Sequence, residues 1–130
     1  MDEHPNATAY RRTADAFRAG DTEALDRLID EDVVWHVPGR NPLAGEVRGR
    51  DALFEWFDRL RKATDGTFVL EEYDVLGNDE HVVALSRMSA VKAGRSVGVD
   101  VISVFHYRDG RQHERWFLPE DSESWDRLLS

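Results

Sequence analysis

Within residues 32–51, DVVWHVPGRNPLAGEVRGRD, four side chains able to do chemistry crowd one corner. His36 carries an imidazole, the side-chain type most often used for proton transfer. Trp35 offers a flat wall to an apolar ligand, and Arg40 and Asn41 flank the same Pro38-Gly39 bend. The bland alternative for His36 is a half-buried imidazole bonded to the loop backbone. Strict alternation sets Trp35 and Val37 on one face of their strand and His36 on the other.

Further along, Arg115 is a candidate anion holder. An arginine directed into an apolar interior needs a carboxylate partner or an anionic ligand. By alternation His113 shares its face, and the two could bind an acidic group or an enolate. The competing face, Gln112, Glu114, Trp116 and Leu118, is equally eligible to look inward, and the pattern leaves both open. Asp100 lies between valines, where burial would raise its pKa and make it a general base. Alternation instead puts it on an outer face with Ile102, where a salt bridge to an arginine across a dimer is the expected role. Ser103 is a further polar contact, and Met88, Phe105 and Phe117 join Trp35 as apolar walls.

Other chemistry has little support. The five histidines are scattered without ligand spacing, so no metal is expected. The glycines of residues 39–49 lack the context of a phosphate-binding loop. There is no cysteine, which excludes thiolate ligands, disulfides and a cysteine nucleophile, and places the protein in the cytoplasm. No cofactor is implied. A net charge of −9 makes nucleic acid and anionic membranes poor partners. No apolar run approaches the roughly 18 residues of a membrane span, and the N-terminus has no signal-peptide core.

A chain of 130 residues supports one domain with a modest cavity. Residues 8–19 read as a helix with Tyr10, Ala14 and Phe17 on one face, closed by Gly20. Asp21 or Thr22 caps a second, short helix presenting Leu25, Leu28 and Ile29. A strand, the Pro-Gly corner and a long loop follow, then a third helix over 51–63 with Asp51 as its expected cap. Four strands come next, over 67–76, 80–91, 96–107 and 111–118, with tight turns at Gly94 and Asp109-Gly110. A helical turn carrying Trp125, Leu128 and Leu129 ends the chain. Helices followed by a meander predict an α+β fold, with a curved antiparallel sheet packed on three N-terminal helices. On the strand 96–107 the odd positions Val97 to Tyr107 face inward. The even positions stay apolar at Ile102 and Val104, which predicts a homodimer interface.

The element order, with Ala19-Gly20-Asp21, Trp35-His36-Val37-Pro38-Gly39, Pro42-Leu43-Ala44-Gly45, Gly49-Arg50-Asp51-Ala52 and Asp109-Gly110-Arg111, Glu114 and Trp116, resembles the SnoaL-like branch of the nuclear transport factor 2-like superfamily. The resemblance spans nearly the whole chain. It implies one domain over residues 1–130, a conical (cystatin-like) α+β barrel, and a single cavity between sheet and helices. The family's catalytic sets do not carry over. The ketosteroid isomerase branch would place a tyrosine at Thr13 and aspartates at Val37 and Ser103, and the SnoaL cyclase pattern Glu-His-Trp-Asp stands here as Glu114-Arg115-Trp116-Phe117. The combined expectation is a protein binding a small apolar, carbonyl- or ring-containing metabolite. His36 would be the acid–base group of a cofactor-free isomerisation, cyclisation or hydration. The alternative is a non-catalytic binding domain.

Overall fold

A computed structural model describes residues 3–130. Its elements are α1 (Pro5–Ala19), α2 (Thr22–Leu28), β1 (Ile29–Val37), β2 (Gly45–Arg48), α3 (Arg50–Ala63), β3 (Val69–Gly77), β4 (His81–Lys92), β5 (Arg95–Arg108), β6 (Arg111–Pro119) and α4 (Ser122–Leu129). The strands form one sheet ordered β2-β1-β6-β5-β4-β3, curved but not closed, because its edge strands β2 and β3 do not pair.

The α+β architecture is the expected one, with two differences of detail. Part of the long loop is the strand β2, which pairs antiparallel with β1 (Trp35 opposite Val47), so residues 38–44 alone make the connection. The sheet is also mixed. β1 runs parallel to β6 while every other pair is antiparallel.

Local chemistry sets the helix limits. His4 Nδ1 accepts from the Asn6 amide at 3.0 Å and Pro5 follows at the first helical position, so α1 starts three residues earlier than its apolar pattern suggests. Gly20, at φ 67°, ends it in the left-handed region. Asp21 caps α2 by accepting from the Ala24 amide. Asp51 does not cap α3; Gly49 occupies the cap position, and Asp51 lies within the first turn.

Both strand faces of β5 follow the alternation. Val99, Val101, Ser103, Phe105 and Tyr107 are buried under the helices, while Ile102 remains 43% exposed on the outer face. Asp100 is on that outer face, but its partner is Arg87 of the neighbouring strand, at 3.1 Å in the same chain. Leu25, Leu53, Trp56, Phe57 and Leu60 of the helices pack with Trp35, Val99, Val101 and Phe117 of the sheet into the main core.

Candidate functional site

A bulge in β6 decides which side chains reach the interior. His106 pairs with Glu114 but Tyr107 pairs with Gln112, so His113 is an extra residue and the parity of the strand flips there. Gln112 faces inward before the bulge, and Arg115 and Phe117 face inward after it. Both faces that the sequence left competing therefore contribute, and His113 contributes to neither. It lies 3.9 Å from Asp30, away from Arg115.

Between sheet and helices lies an apolar cavity of about 50 Å³. Trp35, Met88, Arg115 and Phe117 line it, with Tyr10 and Phe17 of α1, Trp56 and Phe57 of α3, and Trp125 of α4. A dry cavity of roughly 150 Å³ is known to admit benzene, so a ring enters here only as the walls yield. Met88, unbranched and adaptable, is suited to that movement. A wider, solvent-open depression shares Phe17, Phe57, Leu60 and Phe68 with the cavity and adds Arg18 and Arg61. The mouth thus lies between the C-terminal ends of α1 and α3.

The Pro38-Gly39 corner is not the rim. Trp125 Nε1 donates to the Pro38 carbonyl at 3.0 Å, and Asp126 accepts from the Arg40 amide at 2.9 Å and Asn41 Nδ2 at 2.8 Å. α4 clasps the bend, and Arg40 and Asn41 serve that clasp.

His36 does not line the cavity either. With Trp35 and Val37 turned inward, its side chain emerges on the outer face. There Nε2 lies 2.6 Å from Glu114 Oε2 and the ring stacks on Trp116 at 5.4 Å. That removes the geometric basis for His36 as the acid–base group of the cavity.

The polar end of the cavity is built around Arg115. Arg115 is 5% exposed, and its guanidinium sits among the rings of Phe117 (4.0 Å), Trp35 (4.5 Å) and Phe105 (4.7 Å). Nη2 donates to Ser103 Oγ at 2.9 Å, while Nε has no hydrogen-bond partner. No carboxylate pairs with it among the described residues. Burial draws its pKa down to about 10, which leaves it charged at neutral pH. Ser103 and Phe105 are fully buried and stand behind Arg115, orienting and covering it, and do not line the cavity. Trp35 Nε1 donates to Gln112 Oε1 at 2.6 Å, which fixes the indole beside the guanidinium.

Three polar residues at this end escaped the sequence reading as site residues. Tyr10 lines the cavity one turn before Thr13, and burial raises its phenol pKa. Thr13 also lines it but spends its hydroxyl on the Ala9 carbonyl. Tyr107 carries a buried hydroxyl that has no hydrogen-bond partner among the described residues. The inward face of α1 was legible in Tyr10, Ala14 and Phe17; that the phenol reaches a polar corner was not.

No group of three or more histidine, cysteine or acidic side chains able to hold a metal occurs among the described residues. Nor is any helix among them long and apolar enough to cross a membrane.

Residues 10–114 match the SnoaL-like domain. An uncharacterised protein of Mycobacterium tuberculosis is 36% identical over 96 residues, 73% of each chain. Among solved structures, Bal32a from a soil-derived mobile gene cassette superposes with a TM-score of 0.90 at 35% identity, covering 97% of both chains. TerC, co-crystallised with polyporic acid, superposes at 0.84 with 20% identity, covering 97% of this chain and 98% of its own.

Proposed function

The chain belongs to the SnoaL-like family, and from that premise we propose that it is a cytoplasmic protein binding a small apolar, carbonyl- or ring-containing molecule through an anionic or enolisable oxygen. The observation that carries this reading is Arg115. A guanidinium desolvated without a carboxylate is costly, and a ligand oxygen bearing negative charge would repay it in a site of low dielectric. The rings around it supply a wall for the ligand's apolar part. The co-crystallisation of TerC with polyporic acid is consistent with such chemistry in a protein of the same fold. The reaction best served is cofactor-free enolisation, as in an isomerisation, cyclisation or hydration.

A second reading, binding without turnover, is favoured by one observation. Among the described residues no imidazole or carboxylate lines the cavity directly.

Titration with benzoate and its neutral isostere benzamide tests the binding site. Benzoate should bind at least about tenfold more tightly than benzamide, the order of one charge-assisted contact, and Arg115→Met should abolish the difference. Equal affinity of the wild-type protein for both would refute the assignment.

The outer face of the sheet supports a homodimer. Ile102 pairs with Leu118, and the half-buried Val104 with Trp116, so the exposed Ile102, Leu118 and Trp116 adjoin across β5 and β6. Arg87 with Asp100 balances charge locally on that face, despite the chain's net charge of −9.

A further inference from the structure

We propose that Glu72 is the proton acceptor of this cavity, reached through the hydroxyl of Tyr10. The inference rests on the reading of Arg115 as the group that holds the ligand's negative oxygen. Among the described residues, Glu72 supplies the one carboxylate hydrogen-bonded to a side chain that lines the cavity. Tyr10 Oη donates to Glu72 Oε1 at 3.3 Å.

The backbone goes out of its way to place this carboxylate. Glu71, Tyr73 and Asp74 of β3 are exposed, yet the Glu72 side chain is only 7% exposed. Glu72 pairs with Ser86 and Asp74 with Leu85, so Tyr73 is an extra, bulged residue. The bulge keeps Leu70 and Glu72 turned toward the helices and returns Val75 inward after it. Arg18 Nη1 then donates to both carboxylate oxygens, at 3.0 and 3.3 Å, and to the Leu70 carbonyl at 3.0 Å. The carboxylate is therefore buried, held in place, and shared between a guanidinium at the mouth and a phenol in the cavity wall.

Tyr10 and Arg115 approach one another across Phe105, whose ring lies 4.8 Å from the Tyr10 ring and 4.7 Å from the guanidinium. A ligand carbonyl against Arg115 would bring its α carbon toward the phenol. In the step inferred here, the α C–H proton passes to Tyr10 Oη while Tyr10 passes its own proton to Glu72 Oε1. The C–H electron pair becomes the C=C of an enolate, whose oxygen carries the charge beside Arg115. Glu72 ends as a neutral acid, and reversal returns the proton to the same or a conjugated carbon. No oxidant or reductant is consumed. Negative charge moves from a carboxylate already paired with Arg18 toward a cation that has no carboxylate of its own. Burial opposes a standing phenolate at Tyr10, so the two proton transfers are coupled.

If Glu72 only anchored Arg18, its loss would alter stability and leave proton transfer untouched. The test uses phenylacetone in D₂O, with exchange of its benzylic protons followed by NMR, and benzoate affinity measured in parallel. Glu72→Gln and Tyr10→Phe should each cut protein-catalysed exchange by about 100-fold or more, the scale of general-base catalysis. The double variant should lose no more than either single one, and each variant should still bind benzoate more tightly than benzamide. Tyr10→Phe leaves the Glu72–Arg18 pair in place and carries the test should Glu72→Gln fail to fold. Exchange at the wild-type rate in Tyr10→Phe or in a folded Glu72→Gln overturns the proposal. So does a wild-type protein that binds benzoate yet does not accelerate exchange over buffer. Failure of the wild-type protein to bind benzoate overturns instead the reading of Arg115 beneath it.

Discussion

At Arg115 the proposed binding role and the stability of the fold pull in opposite directions. Three aromatic rings give a cation–π attraction of about 0.5–2 kcal/mol each at most, and Ser103 gives one hydrogen bond. Against these stands the desolvation of a full charge with Nε unpaired, a cost of several kcal/mol. The balance favours an apolar replacement of similar length. Arg115→Met should raise stability by about 1–3 kcal/mol, in line with other buried charges replaced by hydrophobic groups, while losing discrimination between benzoate and benzamide. Thermal and urea unfolding read the first effect. A less stable Arg115→Met protein would mean that the guanidinium serves the core and is not reserved for a ligand.

The elements that matter most here are those whose regularity breaks. The bulge at His113 turns both Gln112 and Arg115 inward, and the bulge at Tyr73 buries Glu72. The Pro38-Gly39 bend is locked by α4. Gly39 has φ 103°, and a β-carbon there would lie 2.2 Å from Asp126 Oδ1. Gly39→Ala should therefore cost about 2 kcal/mol or more in urea unfolding, from strain and a broken clasp. A loss below about 0.5 kcal/mol, the range of a neutral surface change, would show the clasp to be slack. These same irregularities mark where sequence reading succeeds and stops. β5 was legible because twelve register partners with β4 run without interruption and period-two alternation holds from Val97 to Tyr107. β6 was not, because one bulged residue inverts every later assignment and nothing in RQHERWFLP announces it. GEVR is too short and polar to declare itself a strand, and the parallel β1–β6 pairing joins segments distant in sequence with no turn signal between them. His36 drew attention by its chemistry, yet the alternation that places it outside the cavity was already present in Trp35 and Val37.

For the whole molecule, the sheet has two uses. Its inner face and the helices enclose a narrow, mostly aromatic cavity with one buried cation, reached between the ends of α1 and α3. Its outer face carries exposed apolar side chains, the surface proposed above to meet a second copy. Leu118, 54% exposed and paired with the exposed Ile102, is the position on that face chosen for a charge. Leu118→Glu should convert a dimer into a monomer in sedimentation velocity without changing benzoate affinity, because the substitution lies on the far side of the sheet. A wild-type protein that sediments as a monomer at micromolar concentration would remove the dimer from the account while leaving the cavity unaffected.

The cavity's claim to bind a charged or enolic oxygen comes down to where such an oxygen rests. Crystals soaked with benzoate answer this in one measurement. The account predicts a carboxylate within hydrogen-bonding distance of the Arg115 guanidinium, its ring among Trp35, Phe57 and Phe117. A benzoate bound elsewhere, or in the cavity with its carboxylate turned away from Arg115, would contradict it.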